Sequence, residues 1–228
     1  MDITTPFQSH FNKTPQIRVQ APGRVNLLGE HVDYNQGPVL PAAIDRAVHL
    51  AAHFSSEASS EEKIVQLYAI DFDESTEFHL DQVEFKIDLS GNPLPKWALY
   101  PAGVAWSLKQ AGYQVTGAQI AYASDIPIGA GLSSSAAVEV GFAVLWQALG
   151  AWECDRLELA RLCQYAENKY VGVSCGLMDQ FASACGIEGH ALFFDTHSLA
   201  WKPAPLPAGS RLVIADSGIR RRLANSEY

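Results

Sequence analysis

A short segment near the N-terminus concentrates side chains that can donate or accept hydrogen bonds. Beside two glycines it carries an arginine, an asparagine, two carboxylates and a histidine, namely Arg24, Asn26, Glu30, His31 and Asp33. The vicinal hydroxyls of a sugar ring both donate and accept hydrogen bonds, and carboxylates together with a histidine can satisfy them. The segment therefore indicates a site for a polyhydroxylated ligand, although a polar surface turn can have a similar composition.

A second segment combines glycines and serines at the start of an apolar stretch. Residues 129–135 read Gly-Ala-Gly-Leu-Ser-Ser-Ser and precede a run of apolar residues that ends near Leu149. Glycines let backbone N–H groups surround an anion, while serine hydroxyls and a helix N-terminus add donors and positive charge. These features together predict a phosphate cradle, and the alternative is an ordinary helix with a serine cap. The segment is not a Walker A sequence, because the lysine is missing, nor a dinucleotide fingerprint, because Ser134 replaces the third glycine.

Length, composition and charge limit the class of protein. The chain has 228 residues, 48% hydrophobic and 18% charged, so it can bury a sizeable core and is not intrinsically disordered. A net charge of −9 argues against nucleic acids and anionic membranes as partners, and the basic run Arg220-Arg221-Arg222 is interpreted as a solvated face. The most apolar stretch, residues 136–150, is too short to cross a bilayer and contains Glu139.

Cysteine usage and the N-terminal sequence predict a cytoplasmic protein. The four cysteines lack C-x-x-C spacing and nearby paired histidines, so they are predicted to be buried reduced thiols. The first thirteen residues show neither the charged region nor the apolar region of a secretion signal. His49 and His53 lie without other metal-ligand residues on a predicted strand and are interpreted as structural.

The spacing of apolar residues predicts an α+β fold in which helices pack on a mixed β-sheet. Strands are predicted at 17–21, at 39–54 as one strand or two joined at Pro41, and at 63–70, 77–80, 114–124, 190–195 and 211–216. A turn is expected at Pro22-Gly23 and an exposed hairpin loop at 55–62. Helices are predicted at 95–112, starting late or kinked at Pro101, then from the serines to 149, at 155–170 and at 178–185.

Two of these segments resemble motifs of one enzyme family. Residues 23–34 resemble the galactokinase signature of the GHMP small-molecule kinases, and residues 127–137 resemble that family's ATP-binding second motif. The likeness extends from the first predicted strand to Tyr228. It implies the ribosomal protein S5 domain 2-like fold of the GHMP kinase N-terminal domain over residues 1–188, which binds sugar and ATP. Residues 189–228 would then be the first strands of a truncated C-terminal domain.

The resemblance also implies roles for individual residues. Arg24 resembles the arginine beside the reacting hydroxyl and the transferred phosphoryl group, and Asp179 resembles the catalytic aspartate. The implied sugar-binding residues are Glu30, His31, Asp33, Gly176 and Tyr228. The implied nucleotide-binding residues are Gly129, Gly131, Ser133, Ser134 and Ser135, with Trp97 and Tyr100 near the adenine. The implied Mg²⁺ ligands are Ser134 or Ser135 together with Glu167.

Several of these residues are also compatible with a purely structural role. Asp179 could cap its short helix, and Glu167 could be a solvated helix residue. Glu167 nevertheless falls one turn from Cys163, at the edge of the buried face, where a carboxylate needs a partner. Trp97 and Tyr100 share a helical face and could pack in the core.

The reaction implied by the resemblance is phosphoryl transfer from MgATP to the anomeric hydroxyl of an α-D-galactose-like sugar. Such a transfer depends mainly on alignment and charge stabilisation, and Asp179 would accept or orient the anomeric O–H. The alternatives are a 1-kinase for N-acetylgalactosamine or a sugar acid, a non-catalytic regulator that binds galactose and ATP, and an inactive fragment. The glycine-rich third family motif has no counterpart here, so we expect a poorly active N-terminal portion whose unpaired C-terminal strands can self-associate.

Overall fold

Helices and strands alternate irregularly along the chain, as the apolar pattern predicts. The structure, a computed structural model, describes residues 1–54, 63–127 and 129–216. The strands are β1 (Ile17–Asn26), β2 (Pro38–Val39), β3 (Pro41–His53), β4 (Ile64–Ala69), β5 (Glu74–His79), β6 (Ala118–Ser124), β7 (His190–Asp195) and β8 (Trp201–Pro205). The α-helices are α1 (Thr4–Phe11), α2 (Leu99–Gln110), α3 (Ser134–Gly150), α4 (Arg156–Tyr165) and α5 (Met178–Cys185). The predicted α+β class is confirmed.

A five-stranded mixed sheet forms the centre of the fold. Its strand order is β1-β3-β6-β4-β5, in which β4 and β6 are parallel and the other neighbours are antiparallel. Alternation along β4 buries Val65, Leu67 and Ala69 and leaves the residues between them partly exposed, which is the period expected of a strand. On the opposite face, α1 buries Phe7 against Ala51 and Ala121.

Helices α2 to α5 cover the other face of the sheet. The sequence of α3 is apolar all round, and the helix accordingly buries Phe142, Leu145 and Trp146 completely. Gly141 lets α3 approach β3, because a Cβ at this position would lie 2.7 Å from a methyl carbon of Leu50. The N-terminus of α3 is thereby fixed beside the end of β1, where the polar N-terminal segment begins.

A second, three-stranded sheet has the order β2-β7-β8 with antiparallel pairing throughout. Strand β7 pairs with β2 from the N-terminal segment and buries Phe194, whose ring stacks on Phe181 of α5. Residues after Gly189 therefore pack directly against the part of the chain that carries the predicted site.

Strand β1 does not end at the predicted turn. It continues through Pro22 and Gly23 to Asn26, with a shift of register between Pro22 and Arg24. Pro22 is tolerated because β1 is an edge strand, on which a missing N–H is less costly. Gly23 is needed because a Cβ there would lie 2.7 Å from the backbone oxygen of Leu132. The prediction of a turn was wrong because both residues are typical of turns and bulges alike.

Two further expectations differ from the structure, and a third is confirmed. Residues 211–216 form no strand with any described residue, whereas β8, which was not predicted, pairs with β7 despite two prolines. The helix expected over 155–170 is α4 followed by a π-helix, Ala166–Val171. The helix expected over 95–112 starts late, at Leu99, so that Pro101 falls in the first turn, where its missing N–H costs little.

Some predicted features fall on residues outside the ranges 1–54, 63–127 and 129–216. The expected hairpin loop at 55–62, the basic run at 220–222 and Tyr228 fall on residues that the structure does not describe. In the described ranges, no helix has the length and apolar character needed to cross a membrane. All four cysteines are free thiols, and Cys163 and Cys185 are buried.

Candidate active site

The structure brings together Arg24 and Asp179, which are 155 residues apart in the sequence. The Nε and Nη2 atoms of Arg24 lie 2.8 and 2.6 Å from the same oxygen, Asp179 Oδ1. Arg24 follows the register shift in β1, and Asp179 stands in the first turn of α5. The side chain of Arg24 is 13% exposed and that of Asp179 is 30% exposed, so this ion pair is largely buried but still reached by solvent.

The glycine-serine loop closes on the same pair. Ser133 Oγ donates to Asp179 Oδ2 over 2.6 Å, and Arg24 Nη1 donates to the backbone oxygen of Gly131 over 2.7 Å. Ser133 adopts a left-handed conformation, with φ of 59°, and its side chain makes no capping hydrogen bond to α3. The alternative prediction, an ordinary helix with a serine cap, is therefore wrong for Ser133. Its hydroxyl donates a hydrogen bond to Asp179 and none of its side-chain atoms caps α3. Asp179 likewise does not cap α5.

The N–H groups in the first turn of α3 lie next to this pair. Ser134 and Ser135 begin the helix, where the first N–H groups of any α-helix lack partners within the helix. Gly129 and Gly131 both have positive φ, 70° and 74°, a conformation that favours glycine. The loop and helix start therefore retain the features of an anion-binding turn.

Asp33 approaches the same ion pair from the segment between β1 and β2. It packs against Gly176 so closely that a Cβ on Gly176 would overlap the Asp33 carboxylate. Burial raises the pKa of Asp33, and the Asp179 charge raises it further, whereas the Arg24 guanidinium opposes the shift. Asp33 is thus within electrostatic reach of both members of the ion pair.

Glu30 and His31 lie on the exposed part of the same segment. Asn26 Nδ2 donates to Glu30 Oε1 over 3.4 Å, and His31 Nδ1 lies 2.7 Å from the Tyr34 hydroxyl. His31 has a φ of 62°, so the chain turns sharply between these two predicted sugar ligands. Both side chains are exposed and able to contact a ligand in solution.

Glu167 stands on the π-helix, beside the start of α3. It is 3% exposed, and its Oε2 accepts hydrogen bonds from Gln180 Nε2 at 2.7 Å and Cys175 Sγ at 3.1 Å. Burial raises the pKa of Glu167, while a hydrogen bond from Ser135 is among the contacts that oppose this shift. Glu167 is therefore not the solvated helix residue considered from the sequence.

The residues present fit a Mg²⁺ site. Ser135 and Glu167 place a hydroxyl and a carboxylate together, and oxygen ligands of this kind are the ones that Mg²⁺ prefers. The described residues contain no group of three or more His, Cys, Asp or Glu able to hold a metal. Mg²⁺ does not require one, because it usually keeps several waters and binds substrate phosphates in addition to one or two carboxylates.

The two predicted adenine-contacting aromatics have different surroundings. Trp97 Nε1 donates to Glu74 Oε2 over 2.6 Å, and its ring packs against Tyr122. Tyr100 is instead affected by the buried acidic residues, since burial together with the charges of Glu167 and Glu139 raises its pKa to about 12. Their roles toward a nucleotide stay predictions.

Sequence reasoning did not assign three residues beside Glu167. Glu139 and Gln180 are both completely buried, and Gln180 Nε2 donates to Glu139 Oε2 over 3.0 Å. Cys175, the third, also contacts Glu167. Glu139 is the one charged residue in the sequence of α3, and this isolation in an apolar helix was the signal that could have identified it.

Comparison with known proteins identifies the family that this chain resembles. Residues 5–54 match the family model described as galactokinase galactose-binding signature, and residues 100–187 match the GHMP kinases N terminal domain. A galactokinase of Chloroflexus aggregans is 42% identical over 226 residues, which are 99% of this chain and 55% of that protein. A galactokinase of Roseiflexus sp. is 44% identical over 227 residues, covering 100% of this chain and 55% of that protein.

A solved galactokinase structure is also similar to this chain in fold. The crystal structure of Lactococcus lactis galactokinase complexed with galactose superposes with a TM-score of 0.80 at 32% identity, covering 94% of this chain and 56% of that one. The fold and the two matched models place the chain among the GHMP kinases. It belongs to the galactokinase branch of that family. The chain spans about half the length of the curated relatives that it matches.

Proposed function

We propose that this chain forms the sugar- and nucleotide-binding part of a galactokinase, which transfers the γ-phosphoryl group of MgATP to the anomeric hydroxyl of α-D-galactose. The observation that carries the proposal is the contact of Asp179 with Arg24 on one oxygen and Ser133 on the other. This contact joins the polar N-terminal segment, the glycine-serine loop and α5 at one place, which in this proposal is the cleft that holds both substrates. A hexose and a terminal phosphate can meet there.

The sugar occupies the side of the cleft formed by the segment between β1 and β2. Glu30, His31 and Asp33 supply acceptors and donors for its hydroxyls. Gly176 leaves room for the Asp33 carboxylate, and Tyr228 is a further sugar ligand in this proposal. Support for galactose as the sugar comes from the matched galactose-binding signature and from the galactose-bound relative.

The nucleotide occupies the side formed by the glycine-serine loop. Gly129, Gly131 and the serines at 133–135 surround its phosphates, and Trp97 and Tyr100 flank the adenine. Ser134 or Ser135 and Glu167 hold Mg²⁺, which neutralises the phosphate charge when bound.

Alignment carries most of the rate acceleration in this reaction. Asp179 accepts the proton of the anomeric hydroxyl or orients that hydroxyl toward the phosphorus. Arg24 stabilises negative charge on the transferred group, and its bond to the Gly131 carbonyl ties it to the phosphate loop. Ser133 holds Asp179 in one orientation through its second oxygen.

The proposal extends to organisation and location. Residues 1–188 form the sugar- and ATP-binding domain, and residues 189–228 begin a second domain that is anchored through the pairing of β7 with β2. The edge of β8 that pairs with no other described strand is a surface through which chains can self-associate. A cytoplasmic location accords with the four free thiols.

The function is tested by coupled measurement of ADP production with a panel of sugars, using this chain and any longer form of it. The panel contains galactose, glucose, N-acetylgalactosamine and galacturonate. We expect ADP release that depends on galactose and is lost in Asp179→Ala. Release with N-acetylgalactosamine or galacturonate alone would identify a related 1-kinase, and galactose binding without ADP release would identify a regulator.

A further inference from the structure

We propose that Gln180 is a positioning residue that holds the Glu167 carboxylate in place for the metal, with Glu139 as the second anchor of its side-chain amide. Gln180 Nε2 lies 2.7 Å from Glu167 Oε2 and 3.0 Å from Glu139 Oε2. A glutamine amide nitrogen has two hydrogens, so it can donate to both carboxyl groups at once. The inference rests on the proposed function, because it concerns the metal that this function requires.

The burial of this cluster indicates a role other than stability. Glu139 and Gln180 are 0% exposed and Glu167 is 3% exposed. Burying two acids side by side is unfavourable, and each of them raises the cost of ionising the other. In addition, Glu139 Oε1 and Gln180 Oε1 are buried without a hydrogen-bond partner among the described residues. Costly polar clusters of this kind concentrate at functional sites.

The position of Gln180 in the sequence couples it to the ion pair. Asp179 and Gln180 are consecutive residues in the first turn of α5. The side chain of Asp179 contacts Arg24 and Ser133, whereas that of Gln180 contacts the two buried acids. One helical turn therefore fixes both the group proposed to orient the sugar hydroxyl and the group proposed to bind the metal.

The cluster also joins the three elements that surround the phosphate side of the cleft. Glu139 belongs to α3, one turn beyond Ser135, Glu167 belongs to the π-helix, and Gln180 belongs to α5. Without the amide of Gln180, the Glu167 carboxylate would lose its shortest hydrogen bond to a buried side chain and keep the weak donor Cys175 Sγ and the contact with Ser135. Groups that orient a metal ligand in this way set the affinity of the metal.

The test is the affinity of Mn²⁺, as a spectroscopic substitute for Mg²⁺, for the full chain saturated with ADP, measured by electron paramagnetic resonance. Gln180→Met keeps the shape of the side chain and removes both donors. We expect its Mn²⁺ Kd to rise by about 10- to 100-fold. The galactose Kd, measured by calorimetry in EDTA without nucleotide, is expected to stay unchanged, because the side chain of Gln180 bonds to Glu139, Glu167 and Cys175 and to none of the described sugar ligands.

Ser183→Ala is the matched control. Ser183 is also a buried polar residue of α5 and donates to the Pro22 backbone oxygen over 2.7 Å, so its loss removes a comparable hydrogen bond without touching Glu167. It should lower the melting temperature and leave the Mn²⁺ affinity unaltered. Should Gln180→Met fail to fold, Glu139→Leu and Glu139→Gln replace it. The leucine variant should weaken Mn²⁺ binding, and the glutamine variant, which keeps an acceptor for Gln180, should restore most of it.

Unchanged Mn²⁺ affinity in Gln180→Met, or an equal loss in Ser183→Ala, would overturn the inference. The inference would also be overturned if the Mn²⁺ affinity of the ADP-saturated wild-type chain were no higher than that of free ADP. None of these results bears on galactose-dependent ADP production by the wild type, which tests the proposed function separately.

Discussion

Asp33 and Gly176 are in direct contact, and the Asp33 carboxylate occupies the space that a side chain on Gly176 would need. Asp33 comes from the segment between β1 and β2, and Gly176 comes from the segment before α5, so the contact aligns two distant parts of the chain. The two proposed sugar ligands thus depend on each other. Glycine is required at 176 for space and not for backbone conformation, because its φ is not positive.

The first prediction concerns this contact. Gly176→Ala should raise the galactose Kd by about 100-fold, because the added methyl group displaces Asp33 by an ångström or more. Calorimetric titration with galactose measures the change. Gly91→Ala is the control, since Gly91 has a φ of 84° and open space around it. The control should lose stability and keep its galactose affinity, and equal affinities in the two variants would contradict the role of Asp33.

Removal of the Asp179 carboxylate should abolish most of the turnover and leave the fold intact. We expect kcat of Asp179→Ala to fall by about 100- to 10,000-fold, the usual contribution of a positioned acid or base. Asp81→Asn provides the comparison, because Asp81 forms ion pairs with Lys63 and Lys109 at the surface. It should retain wild-type turnover. Near-normal kcat in Asp179→Ala, with an unaltered circular dichroism spectrum, would remove Asp179 from the mechanism.

Ser133 and Asp155 precede α3 and α4, and they should respond in opposite ways to substitution. Ser133 donates to Asp179 and caps nothing, so Ser133→Ala should lower kcat by about 10-fold or more and change stability little. Asp155 accepts from the N–H groups of Leu157 and Glu158, so Asp155→Ala should lower the free energy of unfolding by about 1 kcal/mol and spare kcat. Urea denaturation and steady-state kinetics measure the two effects. A serine variant that loses stability and keeps its activity would show that Ser133 is a cap after all.

Asp33→Asn should be more stable than the wild type at pH 7. Burial and the Asp179 charge raise the pKa of Asp33 above its ordinary value of 3.8, so the folded chain holds this proton to a higher pH than the unfolded chain. The free energy of unfolding therefore falls as pH rises from the unfolded pKa through the folded one, and the loss is complete above both. Melting temperatures from pH 3 to pH 7 should show an advantage for Asp33→Asn that grows with pH. An advantage that is independent of pH would exclude ionisation of Asp33 as its cause.

The sequence was most informative where a pattern is local. The apolar run of α3 predicted a buried helix, and the alternation near Ile17 predicted the start of β1. The approach of Arg24 to Asp179 is not local, and only the likeness to a known family connected the two residues before the structure did.

Local sequence patterns gave wrong predictions where the structure of a segment depends on pairing or contact with distant segments. Strand β8 contains Pro203 and Pro205, which argue against a strand, yet it pairs because it lies at the edge of its sheet. Residues 211–216 alternate like a strand but find no partner among the described residues. Gln180 is an unremarkable helical residue in the sequence, and its importance becomes visible only when two buried acids converge on it.

The most direct test of the account is to identify the product that forms from galactose and MgATP. Phosphorus NMR of the reaction mixture distinguishes a phosphate on the anomeric oxygen from one on any other oxygen through its coupling to the anomeric proton. We predict galactose 1-phosphate as the product, and its loss when Asp179 is replaced by alanine. A phosphate on another hydroxyl, or the same product from the alanine variant at an unchanged rate, would contradict the arrangement of sugar and phosphate around Arg24 and Asp179.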